Sequence, residues 1–185
     1  MRYRVFYFLS GTDHIFVVKH VDFQTIELAK TIAPSLQTVR RIELTLTLYG
    51  QSEDPLLGLC DELEQISGQN KLESIEISIK MENECKMGDE CGRLERVLLT
   101  SGWPMLKYVS LDVTINSLSI GIHTSFGMAL NSLPQTQLAG LMESKDLDFR
   151  YSLREHPMSW ASEAMETAED MEMAEYVEMG DPFLD

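Results

Sequence analysis

Basic residues are scarce in this 185-residue chain. Lys and Arg number 15 against 30 Asp and Glu, giving a net charge of −15 and a pI near 4.6. A protein that grips duplex nucleic acid displaces condensed counterions with Lys and Arg, so no nucleic-acid partner is expected. Long apolar runs are also missing. None approaches the roughly 18–20 residues of a membrane span, so no membrane partner is expected either. The opening segment looks superficially like an export signal, with Arg2 and Arg4 ahead of Val5, Phe6, Tyr7, Phe8 and Leu9. Its apolar core is shorter than the roughly 7–15 residues such a signal needs. Gly11, Thr12, Asp13 and His14 break it, and it reads as a strand. Cysteine occurs only at positions 60, 85 and 91, an odd number. That argues against a disulfide framework and for a reduced, intracellular setting, cytoplasmic or nuclear.

Motifs that carry chemistry are lacking as well. No G-x-G-x-x-G, Walker A, G-x-S-x-G or H-E-x-x-H pattern occurs. His14, His20, His123 and His156 are scattered and read as surface or turn residues. Cys60 lies in an apolar helical stretch, where a packed small hydrophobe is expected. Cys85 and Cys91 stand among Glu82, Glu84, Asp89 and Glu90, which raises a metal reading. Zinc wants four ligands, commonly with closer Cys spacing, and no His is near in sequence. No catalytic residue, metal site or cofactor is therefore assigned, and the chain is not read as an enzyme.

What is present is core-forming material and a repeat. Hydrophobic residues make up 44% of the chain, enough for a sizeable core in one domain of this length. Three segments share one aliphatic template: Val39, Ile42, Leu44, Leu46; Leu72, Ile75, Ile77, Ile79; and Leu106, Val109, Leu111, Val113. Their starts lie 33 and 34 residues apart. Strict alternation predicts half-buried strands with one wet face. Helices are expected between them. Asp54 and Pro55 open one that carries Leu56, Leu59, Leu63 and Ile66 and stops at Gly68. Asp89 opens the next, with Cys91, Leu94, Val97 and Leu98, ended by Gly102 and Pro104. An earlier helix is expected near residues 22–32 and a later one near 125–130. Tyr3, Phe6 and Phe8 are read as a preceding strand, and Leu147, Phe149, Tyr151 and Leu153 as a following one. Strands joined by helices should run parallel with right-handed crossovers. Since the strands alternate, only one sheet face should carry helices, which favours a solenoid over a doubly wound sheet.

The template L-x-x-L-x-L-x-L, as in Leu72-Glu-Ser-Ile75-Glu-Ile77-Ser-Ile79, resembles the strand segment of leucine-rich repeats. The stretch Ser101-Gly-Trp-Pro-Met-Leu106-Lys-Tyr-Val109-Ser-Leu111-Asp-Val113 is similar to strand openings of fungal F-box proteins with degenerate leucine-rich repeats. Thr47, Lys80 and Thr114 stand where the Asn or Cys of those repeats is expected, and the period exceeds their usual 20–29 residues. The resemblance covers roughly residues 1–154 and implies a leucine-rich-repeat-like α/β solenoid, helices on one face, acting in substrate recognition for a ubiquitin ligase. No F-box is found in this chain, so a Skp-type adaptor is a partner only if an F-box exists upstream of it.

The wet strand face is the candidate binding surface. In a parallel, in-register stack, equivalent positions form rows about 4.8 Å apart. The expected rows are Glu43, Glu76, Ser110 and Asp148; Thr45, Ser78, Asp112 and Arg150; and Arg41, Ser74, Tyr108 and Asp146. Glu43 and Glu76 repel unless a cation, either Arg41 or a basic partner, answers them. Arg41, Glu43, Thr45, Glu76, Ser78, Tyr108, Ser110 and Asp112 are thus candidates for contact with a protein partner of unknown identity, with Tyr108 as anchor. The competing reading is a merely solvated face.

Residues 155–185 form an acidic tail, expected to be partly helical or disordered. From Ala161 to Asp185 there are nine acids and no Lys or Arg, leaving −6 for the first 160 residues. A sharper reading makes the tail fold on a basic partner through Trp160, Met165, Tyr176 and Phe183. At the other end, a strand beginning near residue 3 leaves an uncapped edge, so the chain is expected to belong to a longer array or to be covered by another chain. Two rival functions stand beside a non-catalytic interaction module: a truncated remnant with no independent role, and a small α/β enzyme.

Overall fold

The structure is a computed structural model that describes residues 4–10, 13–19, 27–48, 54, 56–81, 84–85, 88–116 and 123–156. Six strands form a single sheet in strictly sequential order: β1 (Arg4–Ser10), β2 (Asp13–Lys19), β3 (Arg41–Leu48), β4 (Ser74–Met81), β5 (Tyr108–Asn116) and β6 (Asp148–His156). The strands from β2 to β6 are mutually parallel. Helices alternate with them: α1 (Leu28–Ile32), α2 (Leu59–Ile66), α3 (Glu90–Leu99), and α4 (Ser125–Ser132) with α5 (Ala139–Glu143) ahead of β6.

The period-two pattern does what it predicts. Ile42, Leu44 and Leu46, then Ile75, Ile77 and Ile79, then Val109, Leu111 and Val113 are all buried. They form one cluster with the helical stripes Leu59, Leu63, Ile66 and Leu94, Val97, Leu98. Burying each such side chain stabilises by about 1.5–3 kcal/mol. The intervening residues of β3 and β4 are only partly buried. β3, β4 and β5 pair in the expected register, Ile42 with Ile75 and Ile75 with Val109.

The repeat also writes itself into the backbone bonds. Arg40, Glu73 and Lys107 each stand just before a strand. The Arg40 carbonyl accepts from Glu73 N at 2.7 Å, the Glu73 carbonyl from Lys107 N at 3.0 Å, and the Lys107 carbonyl from Asp148 N at 2.8 Å. Gln37 and Asn70, 33 positions apart, do the same with side chains. Gln37 Nε2 donates to the Gln69 carbonyl at 2.7 Å, and Asn70 Nδ2 to the Gly102 carbonyl at 3.4 Å and to the Ile66 carbonyl at 2.9 Å. Asn70 is buried, and its Oδ1 accepts from Leu72 N at 3.2 Å. One side chain thus bridges the end of α2 and the entry to β4, and it satisfies the Leu72 N–H that burial would otherwise orphan.

Gly68 ends α2 with φ 76°, a left-handed turn that suits glycine. Gly102 serves close approach instead. A Cβ there would lie 1.6 Å from Ser67 Oγ, because the Gly102 carbonyl accepts from Gly68 N at 2.7 Å.

Several expectations need correction. The amino-terminal strand does not precede a helical crossover. It folds back as an antiparallel hairpin with β2, pairing Phe6 with Val17, and β2 was not expected at all. Asp54 does not cap α2. Its Oδ1 accepts from Leu56 N at 3.0 Å and its Oδ2 from Gly88 N at 2.8 Å, while α2 starts only at Leu59, after Gly58 at φ 86°. The register of β6 is two residues from expectation: Val109 pairs with Phe149, and Tyr108 with Asp148. The extra residues are absorbed by α5, a helix the sequence did not announce. β6 itself continues through Glu155 and His156. Residues 22–26 of the expected first helix, and the acidic segment 157–185, lie outside the described residues.

Candidate protein-interaction face

Three central strands present the candidate residues on one face in ordered rows. Arg41, Ser74, Tyr108 and Asp148 share the first row, and Glu43, Glu76, Ser110 and Arg150 the second. Thr45, Ser78, Asp112 and Ser152 share the third, and Thr47, Lys80, Thr114 and Arg154 the fourth. Parallel pairing sets this arrangement, since each residue stands one strand spacing from its counterpart.

The electrostatics of the face are largely settled within the chain. Arg41 lies between the two glutamates. Its Nη2 contacts Glu76 at 3.0 Å, and its Nε lies 2.9 Å from Glu43 Oε1, as an ion pair rather than a directed hydrogen bond. The repulsion expected of stacked Glu43 and Glu76 is therefore answered internally. Across the sheet, the guanidinium of Arg150 sits 5.4 Å from the Tyr108 ring centroid, within cation–π range. Arg150 Nη2 also contacts Asp148 Oδ2 at 3.1 Å, and this hydrogen-bonded carboxylate holds the guanidinium pKa above its ordinary value. Ser152 Oγ donates to Asp112, and Arg154 lies 3.9 Å from the same carboxylate. Such exposed pairs contribute about 0–1 kcal/mol each, so they order the surface more than they hold the fold.

Seven of the eight sequence candidates remain partly open on this face: Arg41, Glu43, Thr45, Glu76, Ser78, Tyr108 and Asp112. Ser110 is the exception. It is buried at 4% exposure, a short side chain in a row between the longer Glu76 and Arg150, and it is withdrawn as a contact residue. The predicted row places of Asp146, Asp148 and Arg150 shift with the register of β6. Ser152 and Arg154, not singled out from sequence, alternate onto the same face and take the third and fourth row places. Ile15 and Val17 of β2 extend the first and second rows with apolar residues, by pairing with Arg41 and Glu43. The continuous run Ile15-Phe16-Val17-Val18 was the available signal, since a strand apolar on both sides does not alternate.

Two hollows lie elsewhere among the described residues. A hollow of about 320 Å³ lies between α2 and α3, lined by Glu64, Ser67, Arg93, Arg96, Val97 and Thr100. A smaller one of about 170 Å³ is lined by Leu98, Leu99, Thr100, Trp103, Leu106, Ser144, Asp146 and Leu147. Neither is lined by a histidine or cysteine. His14 in β2 and His156 in β6 stand four strands apart and at opposite ends of their strands. Burial pushes the Cys85 thiol up to about 11, Cys91 to about 12 and Cys60 higher still. Thiols in that range are protonated and weak as nucleophiles at neutral pH. Among the described residues no three His, Cys, Asp or Glu side chains gather to hold a metal ion, and no helix is long and apolar enough to cross a membrane.

Comparison of the chain with protein-family models, with curated proteins and with solved structures gives no match.

Proposed function

We propose that the chain is a non-catalytic protein-interaction module, built as a leucine-rich-repeat-like solenoid whose polar strand face meets the partner. The observation that carries this reading is the set of in-register polar rows on β3, β4 and β5, opposite a fully buried apolar face. A strictly sequential parallel strand order supports the solenoid, because same-handed crossovers in one direction put successive helices on the same side. Tyr108 is the anchor. Its ring is half-buried and backed by Arg150, and aromatic residues held in this way dominate protein contacts. Because Arg41 already answers Glu43 and Glu76, partner recognition runs through shape and directed hydrogen bonds more than through a surplus of negative charge. The resemblance to F-box proteins adds a specific version, substrate recognition for a ubiquitin ligase in the cytoplasm or nucleus, with a Skp-type adaptor engaged only through an F-box upstream.

Affinity capture with the full chain as bait, followed by titration of the captured protein, tests the reading. Tyr108→Ala and Glu76→Lys each weaken binding by about tenfold or more while melting stays near that of the parent. Unchanged affinity in both variants would refute the role of this face. Recovery of a Skp-type adaptor and cullin subunits with the bait would support the ligase version, and their absence beside an unrelated bound partner would remove it.

A further inference from the structure

We infer that the free edge of β6 pairs with the same edge of a second copy, in antiparallel register centred on Tyr151. β6 ends the sheet, with β5 as its only strand neighbour among the described residues. Asp148 N donates to the Lys107 carbonyl of the segment entering β5. Backbone groups alternate in direction along a strand, so Asp148, Arg150, Ser152 and Arg154 bond inward to β5. Phe149, Tyr151, Leu153 and Glu155 then aim their N–H and C=O groups outward, a row with no strand partner among the described residues that a further strand can meet.

The apolar cover thins at the same place. Leu111 and Val113 are 1% and 2% exposed, whereas their row partners Tyr151 and Leu153 are only partly buried. The Tyr151 hydroxyl is already spent, donating to the Leu130 carbonyl of α4 at 2.9 Å. What remains of that ring at the edge is hydrocarbon.

The side chains select the occupant and the register. A two-fold axis at Tyr151 sets Asp148 opposite Arg154 of the partner copy, twice, and Arg150 opposite Ser152. On the apolar side it sets Phe149 opposite Leu153 and Tyr151 opposite itself. The outward row Phe149, Tyr151 and Leu153 then exchanges about six backbone hydrogen bonds across the axis. Moving the axis one residue either way breaks the match: centred on Ser152 it opposes Arg150 to Arg154, and centred on Arg150 it opposes that arginine to itself. Like charges directly opposite destabilise a strand pair and opposite charges favour it. The partner is therefore a second copy of this chain rather than an arbitrary strand. Because cross-strand partners share a face, the two polar faces join into one surface across the axis.

Sedimentation equilibrium of the full chain, from micromolar to near-millimolar concentration at about 0.15 M salt, tests this. A monomer–dimer equilibrium is expected. Asp148→Arg and Arg154→Asp each weaken it by about tenfold or more, since each reversal acts twice across the axis. The double variant Asp148→Arg/Arg154→Asp restores it. Thermal melting run on the same samples confirms that each variant is folded. A chain that stays monomeric throughout, as it would if its own residues 157–185 covered the edge, overturns the proposal. So does a dimer that ignores both single reversals, or a folded double variant that fails to recover.

Discussion

The three central strands and the strands that flank them are built from similar residues but solve different problems. β3, β4 and β5 each have a strand on both sides, so one alternating template, repeated, buries one face and leaves the other polar. β1, β2 and β6 lie at the two ends of the described sheet and differ from those three. β2 carries an unbroken apolar run and pairs with β1 as a hairpin, and β6 keeps the apolar register of β5 but leaves Tyr151 and Leu153 only partly covered. The difference teaches that the period describes the interior of a stack, while its ends follow what each edge must meet.

Core truncation should separate the two regions most sharply. Ile77 is fully buried in β4, so Ile77→Ala should cost about 2–5 kcal/mol through lost transfer energy and a residual cavity. Leu153→Ala, on the same face of β6, should cost about 1 kcal/mol, in proportion to its partial burial. Chemical denaturation of both variants measures the contrast, and equal losses would erase it. Next in size is the contact between repeats at Gly102. Gly102→Ala forces a Cβ against Ser67 and should cost about 1–3 kcal/mol as overpacking. Ser67→Gly should recover part of that loss in the double variant, because it removes the colliding side chain.

The two amides at equivalent positions provide a finer contrast. Asn70→Ala should cost about 1–3 kcal/mol, because it leaves the buried Leu72 N–H without its acceptor and takes the nearer of two donors from the Ile66 carbonyl. Gln37→Ala, whose bond to the Gln69 carbonyl is exposed, should fall within about 0.5 kcal/mol of the parent.

The smallest expected effect comes from the thiols, and it shows only in alkali. All three have pKa values raised by burial, so the native state holds protons that the unfolded state releases above pH 9. Their stabilisation is full below that point and declines as pH rises from about 9 towards 12, the value reached by Cys91. Thiol labelling at pH 8 should modify partly exposed Cys85 first, and should reach Cys60 and Cys91 only on unfolding. Rapid modification of Cys60 in the folded protein would contradict the packing described.

Where a segment was governed by local alternation, the sequence was legible. The three central strands, their mutual register, the α2 and α3 stripes and the stop at Gly68 could all be read from apolar spacing and one glycine. The helix start after Asp54 could not, because that carboxylate bonds Gly88, 34 positions away in sequence. β2 escaped notice because its apolar residues do not alternate. The β6 register depended on α5, a five-residue helix too short to carry a periodic signal. For the candidate face, the residue types were legible and their availability was not: the burial of Ser110 follows from the lengths of its row neighbours.

The central claim divides the labour between two sides of the same strands, shape on the apolar side and recognition on the polar side. A single double variant, Glu76→Lys/Tyr108→Ala, tests it most directly, with thermal melting and affinity for a captured partner measured on the same sample. The account predicts a melting temperature within a few degrees of the parent and binding reduced by about a hundredfold if the two losses add. Retained affinity, or a collapse of the fold, would contradict it.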